Sequence, residues 1–187
     1  MKKLLFLVLS PLSLMSGSLI KKQVKTPIPD HLVHTRTIIH TDTSTSALQP
    51  VNTKRLYQHN KRKDIVTYAM SMIGRPYVYA GITPKGFDCS GFITYVYKTY
   101  GLSLPHSSAM QAKEGQSVKR QEAKPGDIVI FTGTNSSIRK PGHVGIVISS
   151  PGDTISFVHA SSNGGVKVSK VKGTGYEKRF MEVRGVL

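Results

Sequence analysis

Cys89 is the one cysteine of the chain and lies in the stretch GFDCSGF. Asp88 immediately before it is a strong helix N-cap, and Gly101 suits the position just past a helix end. Cys89, Phe92, Ile93, Val96 and Tyr100 recur at the spacing of one helix face, which makes Cys89 the first helical residue. A thiolate there meets unpaired backbone N–H groups and the positive end of the helix dipole, an environment that lowers a cysteine pKa. One of those N–H groups also supplies half of an oxyanion hole. By itself the same pattern equally describes an inert cysteine on the apolar face of a helix.

A nucleophilic thiol needs a base. His143 opens the run HVGIVIS and His159 nearly closes TISFVHA, with the turn signal SPGD between them. A hairpin folded about Pro151 makes the two histidines direct cross-strand neighbours on one face, with Cβ atoms about 5 Å apart. Cys89 would then be the nucleophile, His143 the base and His159 the group that orients it. The same three side chains could instead be zinc ligands with an open fourth position. No adjacent ligand pair accompanies them, so no metal and no cofactor is expected.

The elements that carry these residues change character along the chain. Ile65, Ala69 and Met72 lie at helical spacing from about Lys61, and the helix after Asp88 follows. LPHSSAMQAKEG restarts a short helix, with Ser107 or Ser108 as its cap. Beyond it GDIVIF, HVGIVIS, TISFVHA, GVKVSKV and KRFMEVRGV alternate as short strands between Gly, Pro and Asn turns. Helices followed by a run of strands imply an α+β domain, with N-terminal helices packed on a central, meander-like antiparallel sheet of about five strands.

The 187 residues suffice for one core and a tail. Residues 1–18 have a basic start, a short apolar run and small residues at Ser16 and Ser18, the pattern of a cleaved export signal. No cysteine lies near that site, so a lipoprotein is not expected, and no run is long enough for a stable membrane span. Residues 19–60 are rich in Thr, Ser, Pro and Lys and read as a basic, poorly ordered arm, leaving 61–187 as the folded domain. The 26 basic and 10 acidic residues give a net charge of +16, which points to an anionic surrounding. No recognition motif for nucleic acid accompanies that charge. In an oxidising compartment, a lone cysteine is spared internal pairing.

From about Asp64 to Phe180 the chain resembles the NlpC-type cell-wall cysteine peptidases of papain-like fold. The resemblance rests on GRPYVYAG, GFDCSGF, LPHSS, KPGDIVIF, HVGIVI and FVHASSNGGV in that order. It implies an endopeptidase that cuts peptidoglycan stem or cross-link peptides, typically between D-glutamate and a diamino acid; a monomer is expected. It implies that Cys89 attacks the amide, His143 is the base and His159 the third residue. It also implies that Tyr77, with Tyr79 as the alternative, helps bind the oxyanion, and that Asp88 and Ser90 line the substrate cleft. His106 stands where many relatives have arginine, and Ala80–Gly81 where they often have two glycines. The same triad would serve an amidase or acyltransferase on another amide, and a catalytically silent wall-binding protein is the remaining alternative. In place of a wall-binding module, the basic arm would hold the protein on anionic envelope polymers.

Overall fold

The computed structural model describes residues 53–187. The expected export signal and most of the basic arm lie outside the described residues. Helix α1 spans Thr53–Ser71 and so starts eight residues before Lys61. Its early turns, TKRLYQHN, include the good helix formers Lys54, Arg55, Leu56 and Gln58 and bury no side chain. Only Ile65 and Ala69 of this helix are buried. Among the described residues, no helix is long and apolar enough to cross a membrane.

After α1 come a two-stranded ribbon, β1 (Ile82–Thr83) and β2 (Gly86–Phe87), and then α2 (Cys89–Thr99). The Asp88 carboxylate accepts the Gly91 N–H at 2.6 Å, closing the N-terminus of α2. Gly101 ends the helix at φ +75°. The buried face carries Phe92, Ile93, Val96 and Tyr97; Tyr97 is fully buried, whereas Tyr100 is only half-buried against Tyr68. Each such side chain contributes about 1.5–3 kcal/mol through burial. The Tyr97 hydroxyl donates to the Gly126 carbonyl at 2.8 Å, so the ring is buried without an orphaned polar atom. Gly91, costly for a helix, is required by packing, because a Cβ there would overlap the Gly81 carbonyl oxygen. Helix α3 (Ser108–Gln111) follows, with Ser107 at its cap position.

The main sheet has six strands: β3 (Gln116–Val118), β4 (Ile128–Thr132), β5 (Pro141–Val147), β6 (Ser156–Ser161), β7 (Gly165–Lys170) and β8 (Phe180–Gly185). Their spatial order is β3-β8-β4-β5-β6-β7, antiparallel throughout. Strands β4 to β7 form the expected meander, but β8 returns past them, after the short helix α4 (Gly175–Arg179), to pair with β4. The edge strand β3 is the one beyond the expected five. It is three residues long, and with Gln116 and Ser117 exposed it has no apolar alternation to announce it.

Alternation along the central strands divides the core into two layers. Ile128, Ile130, Val144, Ile146, Val158 and Ala160 face α1 and α2. Val129, Phe131, Val147, Phe157 and Val183 pack on the opposite face with Tyr176 and Phe180. His143 and His159 have the parity of this second face.

Candidate active site

Strands β5 and β6 pair Ile146 with Val158 and Val147 with Phe157, so the hairpin folds about Gly152 rather than Pro151. That register sets His159 opposite Gly145 and His143 opposite Ser161. The histidines are therefore diagonal rather than direct neighbours, which corrects the simple hairpin expectation. A two-residue change of register preserves the face, and a one-residue change would not. The diagonal is closed by the imidazoles themselves. His143 Nε2 lies 2.8 Å from His159 Nδ1, with the rings perpendicular. Gly145 makes the approach possible, since a Cβ there would stand 2.5 Å from the Phe157 ring and 3.2 Å from His159 Cβ.

His159 is fully buried and its Nε2 is 2.9 Å from Ser169 Oγ on β7. The two histidines and Ser169 thus form a hydrogen-bonded line of three side chains. Tyr176 of α4 caps the pair, stacked on His143 at 5.7 Å and edge-on to His159 at 5.3 Å. Burial lowers the pKa of His143, helped by His159 and the Arg179 guanidinium. Burial lowers that of His159 too, with Lys167 and Arg179 adding to it. Both rings are neutral at ordinary pH. Two nitrogens that share a proton across 2.8 Å aim at each other, not at a common third point where one ion could sit.

Cys89 is half-buried at the start of α2 and shares the wall of a cavity of about 240 Å³ with Tyr77, His143, Ser161, Tyr176 and Arg179. Because His143 Nε2 is engaged by His159, Nδ1 is its remaining nitrogen. Backbone N–H groups of Ser90, Val144 and Cys89 itself stabilise the thiolate, as expected of a helix terminus. Burial, reinforced by the Asp88 carboxylate, outweighs them and pushes the thiol up rather than down. The lowered thiol pKa expected from helix position alone is thereby corrected.

Tyr77 is on the cavity wall, whereas Tyr79 is 87% exposed and absent from it. Burial and the Cys89 and Asp88 charges push the Tyr77 hydroxyl up, so it remains a hydrogen-bond donor. Asp88 and Ser90, expected along the cleft, do not line this cavity. The Asp88 carboxylate accepts from Gly91 N–H and Ser90 Oγ–H and meets His106 Nε2 at 2.9 Å. His106 thus makes a side-chain contact with the residue that caps α2. Ala80 holds φ +57°, a left-handed conformation that a glycine would adopt without strain. Tyr176, Arg179, Ser161 and Ser169 were not legible as site residues. They sit in GYEKR, in FVHAS or on an edge strand, and carry no spacing signal toward Cys89.

A thiol at a helix N-terminus, sharing a cavity with a hydrogen-bonded histidine pair on an antiparallel sheet, defines a papain-like α+β domain. The NlpC/P60 family model matches residues 74–185, and the chain belongs to that family. It is 38% identical over 115 residues to the murein DD-endopeptidase MepS/murein LD-carboxypeptidase of Escherichia coli, a match covering 61% of this chain and 57% of that one. A probable endopeptidase of Haemophilus influenzae is 36% identical, covering 60% of this chain and 67% of that protein. The crystal structure of an NlpC/P60 family protein from Bacillus cereus superposes with a TM-score of 0.62 at 27% identity, over 67% of this chain and 40% of that one. The NlpC/p60 domain of the peptidoglycan hydrolase SagA matches with a TM-score of 0.55 at 28% identity, over 66% of this chain and 97% of that domain.

Proposed function

We propose that the protein is a cysteine endopeptidase that hydrolyses stem or cross-link peptides of peptidoglycan, at the bond between D-glutamate and a diamino acid. The observation that carries this reading is the His143–His159 hydrogen bond at 2.8 Å beside a cavity shared with Cys89. Family membership and the murein endopeptidases among its relatives supply the substrate class. The same relatives support a place in the cell envelope. Export by residues 1–18 and adhesion through the basic arm remain parts of the proposal.

The reaction begins from a neutral thiol and a neutral imidazole, because burial opposes charge on both. His143 Nδ1 takes the thiol proton as the sulfur attacks the amide carbonyl. The imidazolium so formed keeps its Nε2–H on His159 Nδ1, whose own Nε2–H donates to Ser169 Oγ. Backbone N–H groups at the start of α2 and the Tyr77 hydroxyl receive the developing oxyanion. His143 then returns the proton to the departing amine, leaving a thioester on Cys89. Water, deprotonated by His143, attacks the thioester; a carboxylate leaves and the thiol is restored.

The test is digestion of defined muropeptides by the wild type and by Cys89→Ala, read by mass. The expected result is a new amine and carboxylate at the glutamyl–diamino acid bond with the wild type only. Cleavage elsewhere would reassign the bond. Turnover that survives Cys89→Ala would end the thiol mechanism, and the absence of any release would favour the silent wall-binding alternative.

A further inference from the structure

Arg179 closes α4 and lies on the wall of the same cavity as Cys89. Among the described residues it is the only Lys, Arg, Asp or Glu on that wall. Its Nε and Nη2 donate to the Thr132 carbonyl at 3.3 and 3.0 Å. That carbonyl is open to it because the residue paired with Thr132 is Pro141, which has no N–H to give. The guanidinium also sits 5.0 Å from the centre of the Tyr176 ring. Among the described residues, Arg179 makes no ion pair, whereas Arg62, Arg120 and Arg184 each have a carboxylate partner. Arg179 is thus a cation oriented by the Thr132 carbonyl and Tyr176, without a carboxylate partner among the described residues, in the cavity that holds Cys89, and such a group is suited to bind an anion.

We propose that Arg179 is a specificity residue that binds a free carboxylate on a substrate residue flanking the scissile amide. This rests on the peptidase reading and deepens it. The substrate class fits the chemistry. A glutamyl residue that gives one carboxyl to the chain keeps the other, and a diamino acid joined through an amine keeps a carboxylate beside the bond. Nη1 is the guanidinium nitrogen not engaged by Thr132. With Thr132 and Tyr176 holding the guanidinium in place, it meets a carboxylate without reorganising. Substrates carrying a carboxamide at that place would lose the charge-assisted bond.

The experiment uses matched synthetic stem peptides that differ only in whether the glutamyl side carboxyl, or the diamino acid carboxyl, is free or amidated. kcat/KM is measured for the wild type, Arg179→Gln and Arg179→Lys. The expected result is a preference of the wild type for one free acid over its amide, on the order of 10-fold to 100-fold. Arg179→Gln should lose that factor on the acid peptide, change little on the amide, and so erase the preference. Arg179→Lys should retain part of it. Equal losses on acid and amide would make Arg179 a support for Tyr176 and the histidines, and would overturn the proposal. A wild type that cleaves through Cys89 without discriminating either pair would overturn it alone, even if the variants failed to fold. No Cys89-dependent cleavage of any peptide would overturn the peptidase reading and this inference together.

Discussion

His143 and His159 meet nitrogen to nitrogen at 2.8 Å although Gly145, not His143, stands opposite His159. The contact is possible because the residue between them has no side chain. From this arrangement, and from the burial around it, follow outcomes that can be measured.

The line from His143 through His159 to Ser169 sets which His143 nitrogen keeps its lone pair. If Ser169 accepts from His159 Nε2–H, then His159 Nδ1 accepts from His143 Nε2–H, and Nδ1 of His143 is free to act as the base. His143→Ala should reduce cleavage by about 10²–10⁴-fold, the usual range for losing a general base. Ser169→Ala should give a smaller loss, about 10-fold on the same scale, and a shifted pH–rate profile. Ser169→Thr, which keeps the hydroxyl, should recover most of the rate. Failure of threonine to do better than alanine would remove Ser169 from the line.

Stability should fall as the solution is acidified from pH 7.5 to 5. The folded-state pKa values of His143 and His159 lie below the ordinary 6.5, chiefly through burial, so the unfolded chain binds protons that the folded one refuses. The penalty is absent above about pH 6.5 and grows below it, to at most about 2 kcal/mol per histidine at pH 5. Urea midpoints of the wild type and His159→Gln at both pH values check this. The variant should show the shallower pH dependence, and identical slopes would contradict it.

Cys89 should alkylate slowly in mild acid. Burial and Asp88 raise its pKa, so the iodoacetamide rate should keep rising with pH beyond about 8.5, where an ordinary thiol titrates. A rate already at its plateau at pH 6 would mean a preformed thiolate–imidazolium pair.

Gly145→Ala adds a methyl group against the Phe157 ring and His159 Cβ. Overpacking of this kind costs about 1–3 kcal/mol. Activity should drop further than stability, because His159 must move away from His143. Thermal unfolding and a muropeptide assay on one preparation separate the two effects.

Arg62 Nη1 holds Asp127 Oδ1 at 2.7 Å and also donates to the Pro125 carbonyl, while Nη2 reaches the Leu187 carbonyl, tying α1 to the segment after β8. Asp127 is almost wholly buried, so Arg62→Ala leaves its charge with only the Lys124 N–H as partner and should cost about 3 kcal/mol. Adding Asp127→Asn should restore part of that loss in a denaturant titration.

Much of the site was readable because its signals are local. Asp88 before a helical spacing predicts a capped helix with Cys89 at its start, and the Gly91 N–H bond to Asp88 is that cap. Two strands of fixed parity put His143 and His159 on one face, a property of the two-residue period alone. The turn centre is another matter. Parity is the same whether the hairpin folds at Pro151 or Gly152, so the choice rests on which residues stand opposite each other, here Val147 with Phe157 rather than Ile155, and that is decided by packing between distant residues.

The sequence by itself determined the place of Cys89 on a helix, the face shared by the histidines and the α+β class, since capping and periodicity act over a few residues. Only the tertiary structure decided that β8 returns beside β4, that Tyr176 and Arg179 reach the cavity, and that Ser169 ends the histidine line. It also decided the sign of the thiol's shift. A helix terminus favours the thiolate from nearby, but burial is set by everything packed around the sulfur, and here burial prevails.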